Sequence, residues 1–438
     1  MRVNLIKPPE SSRMNFGCFS LAVLASAVRD IASIRIIDAT NLTIEEAVSA
    51  AVKDKPDIIG ITTMGLASVG ATKTFLQALR SAGFNGVLIA GGHGASMSPK
   101  VLLESGADSV VCGEGEITFR ELLRHGVSEK VQGIYLKRDG ALIKTLQRPL
   151  IESLDSLQEP AYDLAGEPSD GIFLLETSRG CPHGCTFCET TRFHGRRWRA
   201  RSPEIVVEDI RHLVSSHSAM IIQIADDNFM ASPERVKKIC EALRDGPMPL
   251  FFLFSARSDD LLLHPEVITS LSNARFLRAT IGVETVNPEL SKSIHKIITF
   301  EQHKQAFAAL KDAGIFSVAS FIVGLPGETE EMRSSYVDIA VDIGADAARF
   351  LPFQPLPGTP MESGTGEPDP LCAEYAVRTT KEFERHNAVL NRLLEAAEKF
   401  DVRGMLARAS LQRRLNENIL DASDTVMVQK RLLELDLG

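Results

Sequence analysis

No uninterrupted apolar run reaches the about 18 residues that a membrane helix needs, so no membrane span is expected. Basic charge is not in excess. Forty-eight Lys and Arg stand against 57 Asp and Glu, a net −9, which argues against a general nucleic-acid or anionic-membrane binder because such partners require clustered cations. The first residues, Met1-Arg2-Val3-Asn4-Leu5-Ile6-Lys7-Pro8-Pro9, lack an apolar signal core, and a cytoplasmic protein is expected. There is no internal repeat and no low-complexity tract. Cysteine is sparse and odd in number, seven in 438 residues, which argues against a disulfide framework. What is present is ordinary globular composition, 44% hydrophobic and 24% charged, in a chain long enough to bury full cores.

That length predicts two or three domains, at roughly 100–200 residues each. Residues 1 to about 125 alternate strand and helix patterns: Val3–Lys7, Ile34–Ile37, Ile58–Thr62, Val87–Ala90 and Ser109–Cys112 read as strands, and Ser20–Arg29, Thr43–Lys53 and Ser68–Ala82 as helices. Continuous apolar strands between helices predict a parallel sheet covered on both faces, a doubly wound α/β domain whose ligands bind at the carboxyl ends of the strands. The glycine turns Gly91-Gly92-His93-Gly94 and Gly113-Glu114-Gly115 fall at those ends. Gly133–Leu146 reads as a hairpin turning at Arg138-Asp139-Gly140, followed by a proline-marked connection from Arg148-Pro149 to Tyr162. A second alternating series follows. Its strands are Ile172–Glu176, Met220–Ala225, Leu250–Ser255, Leu277–Gly282, Phe316–Val323 and Ala347–Leu351, and its helices include Pro203–Ser215, Pro233–Leu243, Glu301–Ala313 and Glu328–Ile343. Six such units are fewer than the eight of a closed barrel and suit an open, partial one. From Leu371 the pattern is helical. The expected division is 1–130, a linker with hairpin over 131–170, the partial barrel over 171–360 and a helical segment over 361–438.

Three of the seven cysteines, Cys181, Cys185 and Cys188, fall within eight residues, in Thr177-Ser178-Arg179-Gly180-Cys181-Pro182-His183-Gly184-Cys185-Thr186-Phe187-Cys188. Soft thiolates at this spacing can converge on zinc or iron–sulfur. A structural zinc wants four protein ligands, which His183 or His194 would have to complete. A cubane held by three cysteines keeps one iron open for a reactive ligand. The other cysteines, Cys18, Cys112, Cys240 and Cys372, are scattered, the last two read as ordinary buried thiols.

The spacing, with Phe187 before the last cysteine and the motif placed after the first barrel strand, resembles the radical S-adenosylmethionine (SAM) superfamily. Three strand-end segments are similar to that family's motifs: Ala225-Asp226-Asp227-Asn228-Phe229, Gly282-Val283-Glu284-Thr285 and Ile322-Val323-Gly324-Leu325-Pro326-Gly327-Glu328-Thr329. The resemblance implies that Cys181, Cys185 and Cys188 hold a 4Fe–4S cluster, that SAM chelates its fourth iron, and that reductive cleavage yields a 5′-deoxyadenosyl radical which abstracts a substrate hydrogen. An external electron donor such as flavodoxin or ferredoxin follows from the same resemblance. Asp226 or Asp227 would hold the SAM ammonium, or only cap the next helix. Glu284 would accept from the ribose or amine, or be a solvated acid. Arg257 would pair with a carboxylate, or form a structural ion pair. Gly324 and Gly327 would admit the adenine, or form a plain turn. In the basic run Arg192, Arg196, Arg197, Arg199 and Arg201, the last two are the better site candidates and the rest a solvated loop.

The N-terminal half resembles the cobalamin-binding, Rossmann-like domain of one radical SAM class, through Asp57–Thr63, Gly91–Ala95 and Cys112–Glu116. Thr62, Thr63, Gly91, Gly92, His93, Gly94, Gly113 and Glu114 are the implied cobalamin contacts. The stricter pattern carries an Asp-x-His-x-x-Gly loop after the first strand. Here the loop reads Pro8-Pro9-Glu10-Ser11-Ser12-Arg13, without a histidine for the cobalt. The resemblance would place His93 beside the corrin, although a lone histidine in a glycine turn is more often structural. tRNA methylthiotransferases are set aside, because only Cys18 and Cys112 lie in this half and no basic RNA module follows. The resemblance thus implies a cobalamin-dependent methyltransferase acting on an unactivated carbon of a small-molecule or natural-product substrate. The alternatives are a corrinoid-free radical SAM enzyme (dehydration, cyclisation, decarboxylation or rearrangement) and a non-catalytic iron–sulfur or zinc protein.

Overall fold

The computed structural model describes residues 1–10, 17–168, 171–244, 250–364, 367–399 and 401–436. Strands β1 (Arg2–Lys7), β2 (Ser33–Asp38), β3 (Ile58–Thr62), β4 (Val87–Gly91), β5 (Ser109–Val111), β6 (Ile134–Arg138) and β7 (Ala141–Lys144) form one sheet in the order β2-β1-β3-β4-β5-β6-β7. Pairing is parallel through β5 and antiparallel from there on. Every residue of β3 is buried, as a continuous β-branched run between two helical layers requires. One layer packs Phe75, Leu76 and Ala47 against Ile59, Ile61 and Leu88. The other packs Leu21, Ala25, Phe119 and Leu122 against Leu5 and Ile89. The sheet is therefore doubly wound, as expected, and the chain reverses direction between β1 and β3, the position where such sheets open a ligand crevice.

The hairpin turns at Asp139 and Gly140, both at positive φ (51° and 80°), which matches the right-handed twist of the strands. It does not stand apart: β6 pairs with β5, so the hairpin is the edge of the first sheet. Gly91–Gly94 is not a simple turn. Gly92 (φ 112°) ends the strand and His93–Met97 is already helical.

The second unit is built on β8 (Ile172–Leu175), a short antiparallel pair β9 (Ser178–Arg179) and β10 (Arg199–Ala200), then β11 (Ile221–Ile224), β12 (Phe251–Ala256), β13 (Phe276–Glu284), β14 (Phe316–Val323) and β15 (Ala347–Pro352). Six parallel strands run in chain order from β8 at one edge to β15 at the other, the expected open barrel. The segment expected as one helix over Glu328–Ile343 is two, Glu330–Ser334 and Tyr336–Asp342, broken at Ser335. The C-terminal helices Pro370–Arg385, Asn387–Ala397, Val402–Asn416 and Ala422–Asp436 place Phe383, Leu390, Leu393 and Leu411 in the same core as the barrel strands. Among the described residues no helix is long and apolar enough to cross a membrane.

Candidate active site

The cysteine loop leaves the carboxyl end of β8 and is held from below by two carboxylates. Asp226, at the end of β11, accepts four hydrogen bonds: from Thr177 N (2.6 Å), Thr177 Oγ1 (2.6 Å), Ser178 N (2.9 Å) and Ser178 Oγ (2.6 Å). Its lone pairs are spoken for and its side chain is buried, so it orients the loop and is not free to meet a ligand ammonium. Asp227 accepts from Gly180 N (2.9 Å) and Thr190 Oγ1 (2.8 Å), tying the start of the loop to the helix Glu189–His194 that follows it. Neither carboxylate caps the helix after Phe229.

The three thiols of the loop sit among donors. Asn228 Nδ2 lies 3.7 Å from the Cys181 sulfur and an Arg257 guanidinium nitrogen lies 3.5 Å from the Cys185 sulfur. Cys185 acts electrostatically on both Cys181 and Cys188, so the three share one neighbourhood. Burial pushes the Cys188 thiol up to about 11 and raises Cys181, partly offset by hydrogen bonds from Thr190 and Asn228, so a metal has to displace protons to bind. Among the described residues no three His, Cys, Asp or Glu converge as closely as a single ion requires. A cluster, in which each thiolate takes its own iron, spreads its ligands wider than one ion does. Three local thiols with N–H donors aimed at their sulfurs are chemically the donor set that such a cluster uses.

Around this loop the remaining strand-end residues meet partners of their own. Arg257 forks onto Asp259 at 2.9 and 2.7 Å, so it is both an ion pair and a neighbour of Cys185. Glu284, at φ 61° where β13 slips register against β14, turns its carboxylate onto Lys296 Nζ at 2.9 Å. Lys296 is buried and was not singled out in the sequence. Gly327 and Phe187 border a small apolar cluster of Leu290, Ile294, Ile322, Leu325 and Phe353. Gly324 has a different neighbour from the one expected: a Cβ there would lie 2.5 Å from Cys372 Sγ, so its close approach is to the C-terminal helix.

The carboxyl ends of the first sheet face this loop. A cavity of about 240 Å³ is lined there by Phe19, Leu24, Thr62, Gly92, His93 and Gly113, and also by Glu176, Arg179 and His194 of the barrel unit. Gly91 and Glu114 line it as well; Thr63 and Gly94 do not. Thr63 is fully buried with its hydroxyl 3.0 Å from that of Thr72, and Gly94 packs where a Cβ would strike Gly65 O at 2.2 Å. His93 stacks on Phe193 (centroids 4.0 Å apart) and its Nδ1 lies 3.4 Å from Glu189. Burial lowers the His93 pKa, yet Glu189, with the charges of Asp227 and Glu176, outweighs it and the net shift is upward. The loop after β1 is described only to Glu10; the Ser11-Ser12-Arg13 stretch, where the cobalt-ligating histidine pattern is lacking, lies outside the described residues.

Glu114 is not an open contact either. Arg179 and Arg199 both donate to it, at 3.0 and 2.9 Å, and so does Ile151 N at 2.6 Å. Burial raises its pKa and Arg179 lowers it, for a net downward shift. Arg199, expected as a site residue, is spent in this seam, and Arg201, expected likewise, pairs within the barrel unit on Asp209 at 2.8 Å. The pairing of Arg179 with Glu114 and Glu116 spans more than 60 residues, which no local pattern reveals.

A doubly wound sheet with a cavity at its strand ends, set against the mouth of a half-open barrel whose first loop presents three thiols, is the arrangement that the resemblance in the sequence implies for a two-cofactor radical enzyme. Comparison with known proteins agrees. Residues 175–339 match the radical SAM superfamily and residues 17–123 the B12 binding domain. An uncharacterized methyltransferase of Pyrococcus horikoshii is 30% identical over 378 residues, covering 82% of each chain. An anaerobic magnesium-protoporphyrin IX monomethyl ester cyclase of Rubrivivax gelatinosus is 30% identical over 72% of this chain, which spans 59% of that relative. The radical SAM methyltransferase TsrM of Kitasatospora setae, solved with cobalamin and a [4Fe-4S] cluster, superposes with a TM-score of 0.69 at 20% identity, over 82% of this chain and 73% of that one. The chain belongs to the radical SAM superfamily, in the class that carries a B12-binding domain.

Proposed function

We propose that this enzyme is a cobalamin-dependent radical SAM methyltransferase that methylates an unactivated carbon of a small molecule. The observation that carries the reading is the facing of the two sites: Glu176, Arg179 and His194, all within eight residues of a loop cysteine, line the same cavity as Thr62, Gly92 and His93. When bound, a cluster with SAM supplies a carbon-centred radical and a methylated corrinoid supplies the methyl group. Cys181, Cys185 and Cys188 would hold the cluster. Asn228 and Arg257 would stabilise its thiolates, while Asp226 and Asp227 keep the loop in place. Glu284, Lys296, Arg257 and the Phe187–Gly327 patch would bind SAM. Thr62, Gly91, Gly92, His93 and Gly113 would border the corrinoid. The division into a corrinoid unit over 1–130, a connection over 131–170, a barrel over 171–360 and a helical end is part of this reading, as is an external one-electron donor.

The test is anaerobic reconstitution. Cluster and corrinoid absorption in one protein, 5′-deoxyadenosine on adding SAM and a strong reductant, and loss of both the cluster and 5′-deoxyadenosine in a Cys181/Cys185/Cys188→Ala variant are expected. A chain that makes no 5′-deoxyadenosine contradicts the reading. A second reading, a cyclase-type radical enzyme, is favoured by the similarity to the Rubrivivax cyclase. Incubation with SAM deuterated in its methyl group separates the two, because only methylation carries the label into a product.

A further inference from the structure

A second cavity, of about 280 Å³, opens between the hairpin of the first sheet and the helix Glu189–His194. It touches the first cavity through His93, Gly113 and Phe193. Its wall carries Lys144 at the end of β7, Gln147 just beyond, and Arg192. Among the described residues no carboxylate lies within ion-pair distance of Lys144 or Arg192. The Lys144 ammonium lies over the face of Tyr135, 5.5 Å from the ring centroid. Arg192 spends one N–H on Pro357 O (2.9 Å) and leaves the others open, while Gln147 has no hydrogen-bond partner among the described residues. The acid on that wall, Glu189, faces His93.

Two exposed cations without counter-ions on the wall of one cavity, in a chain of net charge −9, can together attract an anion. Arg192 lies four residues past Cys188 in a helix that Cys188 itself begins, about 6 Å along the axis. Because the two cavities share His93, Gly113 and Phe193, an anionic group anchored here would border the first cavity.

We propose that Lys144, Gln147 and Arg192 form an anion subsite, for a phosphate or carboxylate, in the cleft between the hairpin and the helix after the cysteine loop. The group has two chemical sources: an anionic substrate, or the phosphodiester in the nucleotide tail of the corrinoid. The site itself stands on the geometry above; only the second source rests on the corrinoid reading.

The experiment compares the full-length protein with Lys144→Gln, Arg192→Gln and, as a control outside the cavity, Lys130→Gln. Thermal shifts are read in inorganic phosphate and pyrophosphate against chloride of equal ionic strength, and binding of hydroxocobalamin is read against cobinamide, which lacks the phosphodiester. A substrate subsite predicts phosphate or pyrophosphate protection that falls at least about threefold in Lys144→Gln and not in Lys130→Gln, with cobalamin binding unchanged. A nucleotide-tail subsite predicts a similar loss of cobalamin affinity with cobinamide unaffected. Equal phosphate response in all four proteins, together with equal cobalamin affinity, overturns the proposal. A wild-type protein that binds no corrinoid overturns the proposed function instead, and the phosphate arm still decides this subsite. Arg192→Gln provides an independent check should Lys144→Gln fold poorly.

Discussion

Arg179, two residues before Cys181, crosses from the barrel unit to Glu114 at 3.0 Å and Glu116 at 2.6 Å, with all three side chains under a tenth exposed. Removing one member of a buried ion pair leaves charge without compensation, which costs about 3–5 kcal/mol. Arg179→Ala takes a partner from three carboxylates and strands two of them, because Glu176 uses the same guanidinium at 2.7 Å and Glu116 has no other cation among the described residues, while Glu114 keeps Arg199. The expected outcome is a large fall in melting temperature and reduced iron content after reconstitution. Arg179→Lys should recover only part, because an ammonium cannot fork across several acceptors. Unchanged melting in Arg179→Ala would show that the two units do not depend on this seam.

Asp226→Asn should destabilise the protein before any cofactor is added. The substitution keeps the volume but turns one of the two acceptor oxygens into a donor, facing either the two amides at Oδ1 or the two hydroxyls at Oδ2, and removes the charge that all four bonds used. Leaving buried donors unsatisfied costs about 1–3 kcal/mol each, and a total of about 3 kcal/mol is expected here. Cofactor-free thermal melts check it. Were Asp226 only a ligand contact, the cofactor-free melt would not move while SAM affinity fell.

The parts of the fold visible in the sequence were those with local periodic signals. Ile58–Thr62 and Phe316–Val323 are bounded as expected, because continuous β-branched and apolar runs between helices have few other uses. Cys181, Cys185 and Cys188 were legible for the same reason: their chemistry is encoded in spacing within one loop. What could not be read was pairing at a distance. Nothing local shows that Thr177 and Ser178 close on Asp226, or that Arg179 and Arg199 reach Glu114 from another unit. Lys296 was missed for the converse reason, since a buried lysine is recognisable only beside its partner Glu284.

Gly324→Ala should cost about 2–4 kcal/mol, from two separable causes. The residue sits at φ 93°, which disfavours any Cβ, and that Cβ would lie 2.5 Å from Cys372 Sγ. Cys372→Ala removes the sulfur but not the conformational strain. The double variant should therefore be less destabilised than the sum of the single ones, by more than the about 0.5 kcal/mol within which independent sites add. Simple additivity in chemical denaturation would mean that the helix Pro370–Arg385 shifts freely at this contact.

Acid should weaken the fold through His303. This side chain has no exposure, its Nδ1 lies 2.8 Å from Ser258 Oγ, and its Nε2 has no partner among the described residues. Burial, followed by the charge of Lys296, lowers its pKa from 6.5 to about 3. Between those two values the unfolded chain binds a proton that the folded chain refuses. This stabilisation is therefore complete above about pH 6.5 and is lost as pH falls toward 3, at about 1.4 kcal/mol per pH unit crossed. His194, lowered to about 4 by burial, acts in the same direction over a narrower window. His303→Asn retains a polar group for Ser258 but cannot titrate, so its melting temperature should fall less steeply from pH 6.5 to 4.5 at constant ionic strength. The remaining slope should carry His194 and the carboxylates, and a further His194→Asn substitution should flatten it again. An acid limb as steep in His303→Asn as in the wild type would mean that the imidazole accepts its proton without unfolding, through an opening toward Arg257 and Asp259, whose charges both reach it.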